Sequence, residues 1–362
     1  MNPPLLRSSR DVPLVHAQLQ RSIGARTLLA GIALLGVMVA TCPLEAAEAS
    51  GPRLLVANKG DHTLGLIDPV AGKQIAVVAE DGITGHEVIA SSDGQRAFVP
   101  IYGNSGVGGK GTDGRLIRVI DLARREIVGT IDLGKGLRPH CAMIGPKNGR
   151  LYVTTELAES VTVIDPATLK ITGSISTGQP QSHMLALTHD GRRGYTANVG
   201  PGTVSVLDLE NEKLISVIPV AKHIQRIALS VDDQRAFTSD QAEPRIAVID
   251  TATNKVASWI ALPGIGFSTA ATPDGRWLLA TIPGKNQVAV IDLHSMEVSQ
   301  VLALPRAPQE VLMRPDGAVA YVSCDATRQV AAIDLEKMVV AQMIDAGAGA
   351  DGLAWVPASK AD

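Results

Sequence analysis

Seven short segments of this chain end in one hydrophobic–aspartate pattern: "LGLID", "IRVID", "VTVID", "VSVLD", "IAVID", "VAVID" and "VAAID". Their aspartates are Asp68, Asp121, Asp165, Asp208, Asp250, Asp292 and Asp334, at intervals of 53, 44, 43, 42, 42 and 42 residues. Self-similarity at a period of this size means that one supersecondary unit is stacked against copies of itself.

Each period reads as four short strands. In the fourth, "HMLALTH" (His183–His189) leads through the turn Asp190-Gly191 into "RGYTAN" (Arg193–Asn198), then "TVSVLD" (Thr203–Asp208) and "KLISVIPV" (Lys213–Val220). Apolar, β-branched runs of this length between turn residues are strand signals. Asp-Gly marks the same tight turn at 93–94, 190–191, 274–275 and 316–317. Four strands in each period, seven times over, predict an all-β, seven-bladed β-propeller of four-stranded blades. The chain ends predict its closure. "RLLVAN" (Arg53–Asn58) matches a second strand with no innermost strand before it, and "DGLAWVP" (Asp351–Pro357) matches an innermost strand. Pairing this C-terminal strand with the N-terminal blade leaves no blade with an exposed seam.

The stretch "GRLYVTTELAESVTVIDPATLKITGSISTG" (Gly149–Gly178) resembles the YVTN-type β-propeller repeat, and the resemblance extends over nearly all of 51–357. It implies the same fold. It implies little about activity, because such propellers serve as binding modules, surface proteins, redox-enzyme subunits, lactonases and lyases. Many of them look like partners of redox or catabolic systems.

Residues 1–49 are expected to be a signal peptide and 50–362 a single propeller domain. Arg21 and Arg26 precede the apolar run "TLLAGIALLGVMVATC" (Thr27–Cys42), and Ala47-Glu48-Ala49 fits a small-residue cleavage site. That run is short for a membrane span, and Thr41 before Cys42 fits a lipoprotein anchor poorly. A Sec-type signal predicts a periplasmic or secreted protein that meets a membrane only through the uncleaved signal. Beyond it only Cys141 and Cys324 remain, which is no disulfide framework. A net charge of −3 gives no footprint for nucleic acid. Aromatic residues make up 3% of the chain, so Val, Ile, Leu and Ala must fill the core.

Aligning the blades on Phe98, Tyr152, Tyr195, Phe237, Leu279 and Tyr321 exposes a second pattern. Twelve residues before each lie His86, His140, His183, Gln225, Phe267 and Gln309, and the closing strand contributes Asp351. This position starts the innermost strand, at the mouth of the axial channel. Polar side chains converging on a concave opening form the default ligand-site pattern, so His86, His140, His183, Gln225, Gln309 and Asp351 are the candidate ligand-binding residues. His86, His140, His183 and Asp351 would suit a zinc or copper ion. Without metal the imidazoles could bind an anion or work as acid and base. A third reading is a polar, solvated channel lining. Glu87, Arg138, His223 and Glu310 flank the mouth, and His62, Glu156, Asp240 and Asp325 lie on loops of the same face; singly, each reads as a surface residue. His189 and His294 fall on turns elsewhere and read as solvent-exposed. Strand alternation places Cys141 between blades, as a small buried hydrophobe.

The long first interval comes from "GNSGVGGKGTDG" (Gly103–Gly114). Its Gly106-x-Gly108-x-x-Gly111 spacing matches a dinucleotide fingerprint formally, but it joins two antiparallel strands and opens no helix. It reads as a hairpin extension that could act as a flap over the mouth, with Lys110 as its one charge able to reach an anionic group. No Cys-x-x-Cys-His is present for covalent haem, and no Cys-x-x-Cys zinc pair. The expected function is an exported periplasmic binding or accessory protein, with a small-molecule ligand or a periplasmic redox or catabolic protein as partner. The alternatives are a lactonase- or lyase-like enzyme using the same histidines, and a purely structural interaction module.

Overall fold

The computed structural model describes residues 53–356. The expected signal peptide and the single-domain boundary at residue 50 lie outside them. The described residues form seven four-stranded antiparallel sheets arranged as the blades of one ring. Blade 1 combines Arg53–Asn58, Thr63–Asp68 and Lys73–Ala79 with Ala350–Val356, which pairs antiparallel to Arg53–Asn58 as the innermost strand. The ring is therefore closed by the C-terminal strand, as the sequence predicts. Blades 2 to 7 follow in chain order.

The repeated residues explain themselves locally. Each hydrophobic–Asp segment ends at the turn between third and fourth strands. There the aspartate accepts backbone N–H groups from the residues two and three positions on, as Asp68 does from Val70 and Ala71 and Asp208 from Glu210 and Asn211. These are Asx turns, so the most repeated acidic residue of the chain has a structural role. In the Asp-Gly turns the glycine takes a left-handed backbone, φ 69° at Gly191 and 73° at Gly317, which a β-carbon would strain.

The core lies between blades. Phe98, Tyr152, Tyr195, Phe237 and Leu279 are fully buried, among Val, Ile, Leu and Ala from neighbouring sheets. The second strand also carries the threonine of the Tyr-Val-Thr run. Thr154 takes the Cys141 N–H on its hydroxyl oxygen at 2.9 Å and donates to the His183 carbonyl of the next blade at 2.7 Å. Thr281 does the same between Ser268 and the Gln309 carbonyl. One buried hydroxyl thus fastens two innermost strands together. Thr154→Val keeps the shape but orphans a buried N–H and a buried carbonyl. It is expected to cost ~2–3 kcal/mol, read as a lowered urea midpoint with an unchanged slope.

Candidate functional site

The mouth positions sit where strand pairing is interrupted. Register shifts fall between Pro139 and Ala142, between Ser182 and Met184, and between Pro308 and Val311, each beside one of the aligned positions. Such bulges bend the strand and re-aim side chains. Here they turn His140 and His183 toward one another. The two rings stack with centroids 3.5 Å apart, and His86 meets His140 edge-on at 5.6 Å. The structure thus brings the three aligned histidines together.

A fourth ring completes the cluster. Tyr102, fully buried, lies 4.8 Å from His86, 5.2 Å from His140 and 5.9 Å from His183 between centroids. Its hydroxyl donates to Glu156, which also accepts from Gly108 N–H at 3.1 Å and from Arg138 Nη1 at 3.3 Å. His183 Nδ1 is 4.0 Å from the same carboxyl group. Gln225 Nε2 lies 3.5 Å from His183 Nε2. Burial depresses all three histidines. His86 falls to about 4, with Lys59 and Arg226 adding to burial against the pull of Asp351. His140 is driven well below the usual imidazole range by burial and then by His183 and His86, and His183 by burial and then by Arg226 and His86. The cluster is a set of neutral imidazoles at neutral pH. Burial, then the bond to Glu156, raises the Tyr102 hydroxyl, which stays a hydrogen-bond donor.

Across the channel lies a second layer. Arg226, 4% exposed, reaches from blade 5 to Glu87 of blade 2 at 2.9 Å, Asp351 of the closing strand at 3.1 Å and Glu310 of blade 7 at 3.8 Å. Its guanidinium stands over Phe267 at 5.1 Å. Asp351 continues to Lys59 at 3.1 Å, which meets Asp325 at 3.4 Å. Burial raises Glu87 and Glu310 above the ordinary carboxyl range against the pull of Arg226.

These contacts correct several expectations. Of the four residues expected to suit a metal ion, His140 and His183 stack, His86 meets His140 edge-on, and Asp351 is bonded to Arg226 and Lys59. Among the described residues no group of three or more His, Cys, Asp or Glu side chains is arranged to hold a metal ion. Gln309 is not drawn into the histidine cluster; its amide donates to the Ala307 carbonyl at 3.4 Å. Glu87, Arg138 and Glu156 are buried and are not the surface residues their sequence context suggests, whereas His62 and His223 are exposed. Asp240 is buried as the anchor of its own turn, bonded to Arg245 and to the Ala242 N–H. His189 and His294 are exposed as expected, His189 paired with Asp233 at 2.8 Å. Cys141 packs among Met184, Leu185 and Tyr195, and burial raises its thiol.

Sequence reasoning missed Tyr102 and Arg226. Tyr102 lies in the irregular long interval, where alignment by period loses its footing. Arg226 had a usable signal. The residues one step after the mouth position include Glu87, Arg226 and Glu310, an opposite-charge set at one column of the repeat.

No protein-family model matches the sequence, and no curated protein matches it. Among solved structures, the chain is similar to Kuenenia stuttgartiensis hydrazine synthase, with a TM-score of 0.67 at 18% identity over 78% of this chain and 92% of that one. At that identity the likeness is one of fold: both are β-propellers.

Proposed function

We propose that this chain is an exported YVTN-type β-propeller that acts as a periplasmic binding or accessory protein and holds a small ligand at its histidine-lined mouth. One observation carries this reading. His140 Nδ1 and His183 Nδ1 are buried without a hydrogen-bond partner in the protein, inside a cluster that also holds His86 and Tyr102. Buried polar atoms are nearly always partnered, so two orphans in one cluster favour a partner that arrives from outside. The depressed basicity of the imidazoles favours binding over base catalysis, since an efficient general base is poised near the working pH. Export is supported by Arg21, Arg26, the 27–42 run and Ala47-Glu48-Ala49.

Native mass spectrometry tests the reading. Tag-free protein is incubated with the low-molecular-mass fraction of a bacterial periplasmic extract and desalted. An adduct of constant mass is expected on the wild type and not on His140→Leu or His183→Leu. Retention of the adduct by both variants, or no adduct on the wild type, sinks the mouth as a ligand site. Turnover of gluconolactone that disappears in His140→Leu would move the reading to the enzyme class.

A further inference from the structure

We infer that Arg138 is the carboxylate receptor of the mouth, and that the loop Gly103–Gly114 is a lid that occupies this receptor until an acidic ligand replaces it. The inference rests on the binding reading above and names the ligand class for that site.

Arg138 is 4% exposed, and its guanidinium is fully engaged. Nη1 holds Glu156. The other two nitrogens go to the loop: Nε to Asp113 Oδ1 at 2.6 Å and Nη2 to the Gly109 carbonyl at 2.7 Å. The Nε–Nη2 edge is the fork that takes a carboxylate in two parallel hydrogen bonds. In the closed form that fork is filled by one carboxylate oxygen and one carbonyl of the chain itself. A ligand carboxylate offers the same two acceptors in the geometry that the fork matches best. A lysine could not make this exchange.

The loop is built to leave. Residues 108–113 are all exposed, and of 104–113 only Ser105 is buried. Its internal bonds are few: Gly109 N–H to the Gly106 carbonyl, Asn104 N–H to the Thr112 carbonyl, and Thr112 N–H to the Asn104 side chain. Segments with little buried surface open at low cost. Between its hinges its ties to blade 3 are those of the Arg138 side chain, together with Gly108 N–H to Glu156; the hinge Gly114 itself stays fixed, its carbonyl accepting the Leu137 and Arg138 N–H groups at 3.0 Å. Both ends are glycines that no other residue could replace. Gly103 has φ 130°, and a β-carbon on Gly114 would run into the Ile101 carbonyl. Tyr102, against all three histidines, is the residue before the first hinge, so movement of the loop passes directly to the ring that packs on the cluster.

Two measurements test this. Diethylpyrocarbonate acylates accessible neutral imidazoles, and peptide mass spectrometry reads each histidine separately. His140 and His183 are expected to react slowly in the wild type and about tenfold faster in Asp113→Ala, the factor equivalent to losing ~1.4 kcal/mol from the latch. Exposed His62, His223 and His294 should keep their rates, and Glu126→Ala, which removes an exposed partner of Arg124 at the opposite end of blade 2, should match the wild type. For the ligand class, Lys110→Cys carries an environment-sensitive dye on the loop, since Cys141 and Cys324 are buried. Mono- and dicarboxylates of two to six carbons are titrated, with their amides as neutral counterparts. At least one acid should give a saturable dye response that its amide lacks and that Arg138→Gln abolishes. The inference is overturned if Asp113→Ala leaves His140 and His183 at wild-type rates, if no acid moves the dye, or if Arg138→Gln responds like the wild type. An adduct still lost in the two histidine variants would, in those cases, leave the binding reading standing without the lid.

Discussion

Arg226→Met is expected to lower unfolding free energy by about 3–5 kcal/mol near neutral pH, the usual cost of leaving buried charges without their partner. Among the described residues Arg226 is the cation paired with both Glu87 and Glu310, and it shares Asp351 with Lys59. Glu87 and Glu310 already sit above the ordinary carboxyl range because burial outweighs the arginine's attraction. Without the arginine both must rise further and take up protons. A carboxyl whose folded value lies above its unfolded value loses stability as pH climbs from the unfolded value through the folded one. The deficit of Arg226→Met should therefore be small in acid and largest above neutrality. Urea titrations at pH 5 and pH 8 read this directly. Adding Glu87→Gln and Glu310→Gln to Arg226→Met should recover most of the loss at pH 8. Equal deficits at both pH values, or no recovery in the triple variant, would show that the arginine acts by packing on Phe267 and not by charge.

The contrast between Arg226 and His140 shows what the sequence makes legible. His140 could be placed because its blade repeats regularly, and counting twelve residues back from Tyr152 is a purely local operation. The same counting finds the strands, the Asx-turn aspartates and the closing strand, all of which depend on backbone hydrogen bonds between near neighbours. Contacts across the axis are different. Arg226 meets Asp351 from 125 positions away, and Tyr102 meets Glu156 over 54. Nothing in the period says how far a side chain reaches over the channel, or in which direction a bulge re-aims it. Cys141 is buried in the core cluster and His140 stands in the histidine cluster, as alternation has it, but both fall within an interrupted register whose bulge sets how the His140 ring is aimed. The same holds for the histidines: three of them at one column say nothing of how their rings meet, and the stacking of His140 on His183 is set by the bulges.

Glu80 supplies the second large effect, and it is one of pH. Its side chain is fully buried, with Oε2 accepting the Gly85 N–H at 2.7 Å and Oε1 without a hydrogen-bond partner in the protein. Burial pushes it up to about 7, against the Gly85 bond and the attraction of Arg118. Arg118 also binds the Glu80 and Asp81 carbonyls, so it is the charged neighbour that fixes this segment. The unfolded chain ionises Glu80 near its ordinary 4.5. Its contribution is thus intact below that value and is lost as pH rises toward 7, a fall of roughly 3 kcal/mol by linkage. Glu80→Gln keeps an acceptor for Gly85 and cannot ionise. The wild type should therefore lose about that much stability relative to the variant between pH 4.5 and 7.5, with both curves parallel above it; curves parallel throughout would refute the assignment. The position gives this titration a consequence for the mouth. The segment that Glu80 ties down continues through Thr84, whose carbonyl accepts Tyr102 N–H at 3.2 Å and Gly103 N–H at 3.4 Å, and through Gly85 into His86. Ionisation strengthens the Gly85 and Arg118 contacts but leaves a buried charge, a cost that opening of this segment relieves, so the backbone that seats Tyr102 and the first hinge of the lid is expected to open more often as pH rises through 7. Modification of His140 and His183 by diethylpyrocarbonate should accordingly rise with pH in the wild type more steeply than in Glu80→Gln, beyond the change seen at exposed His62.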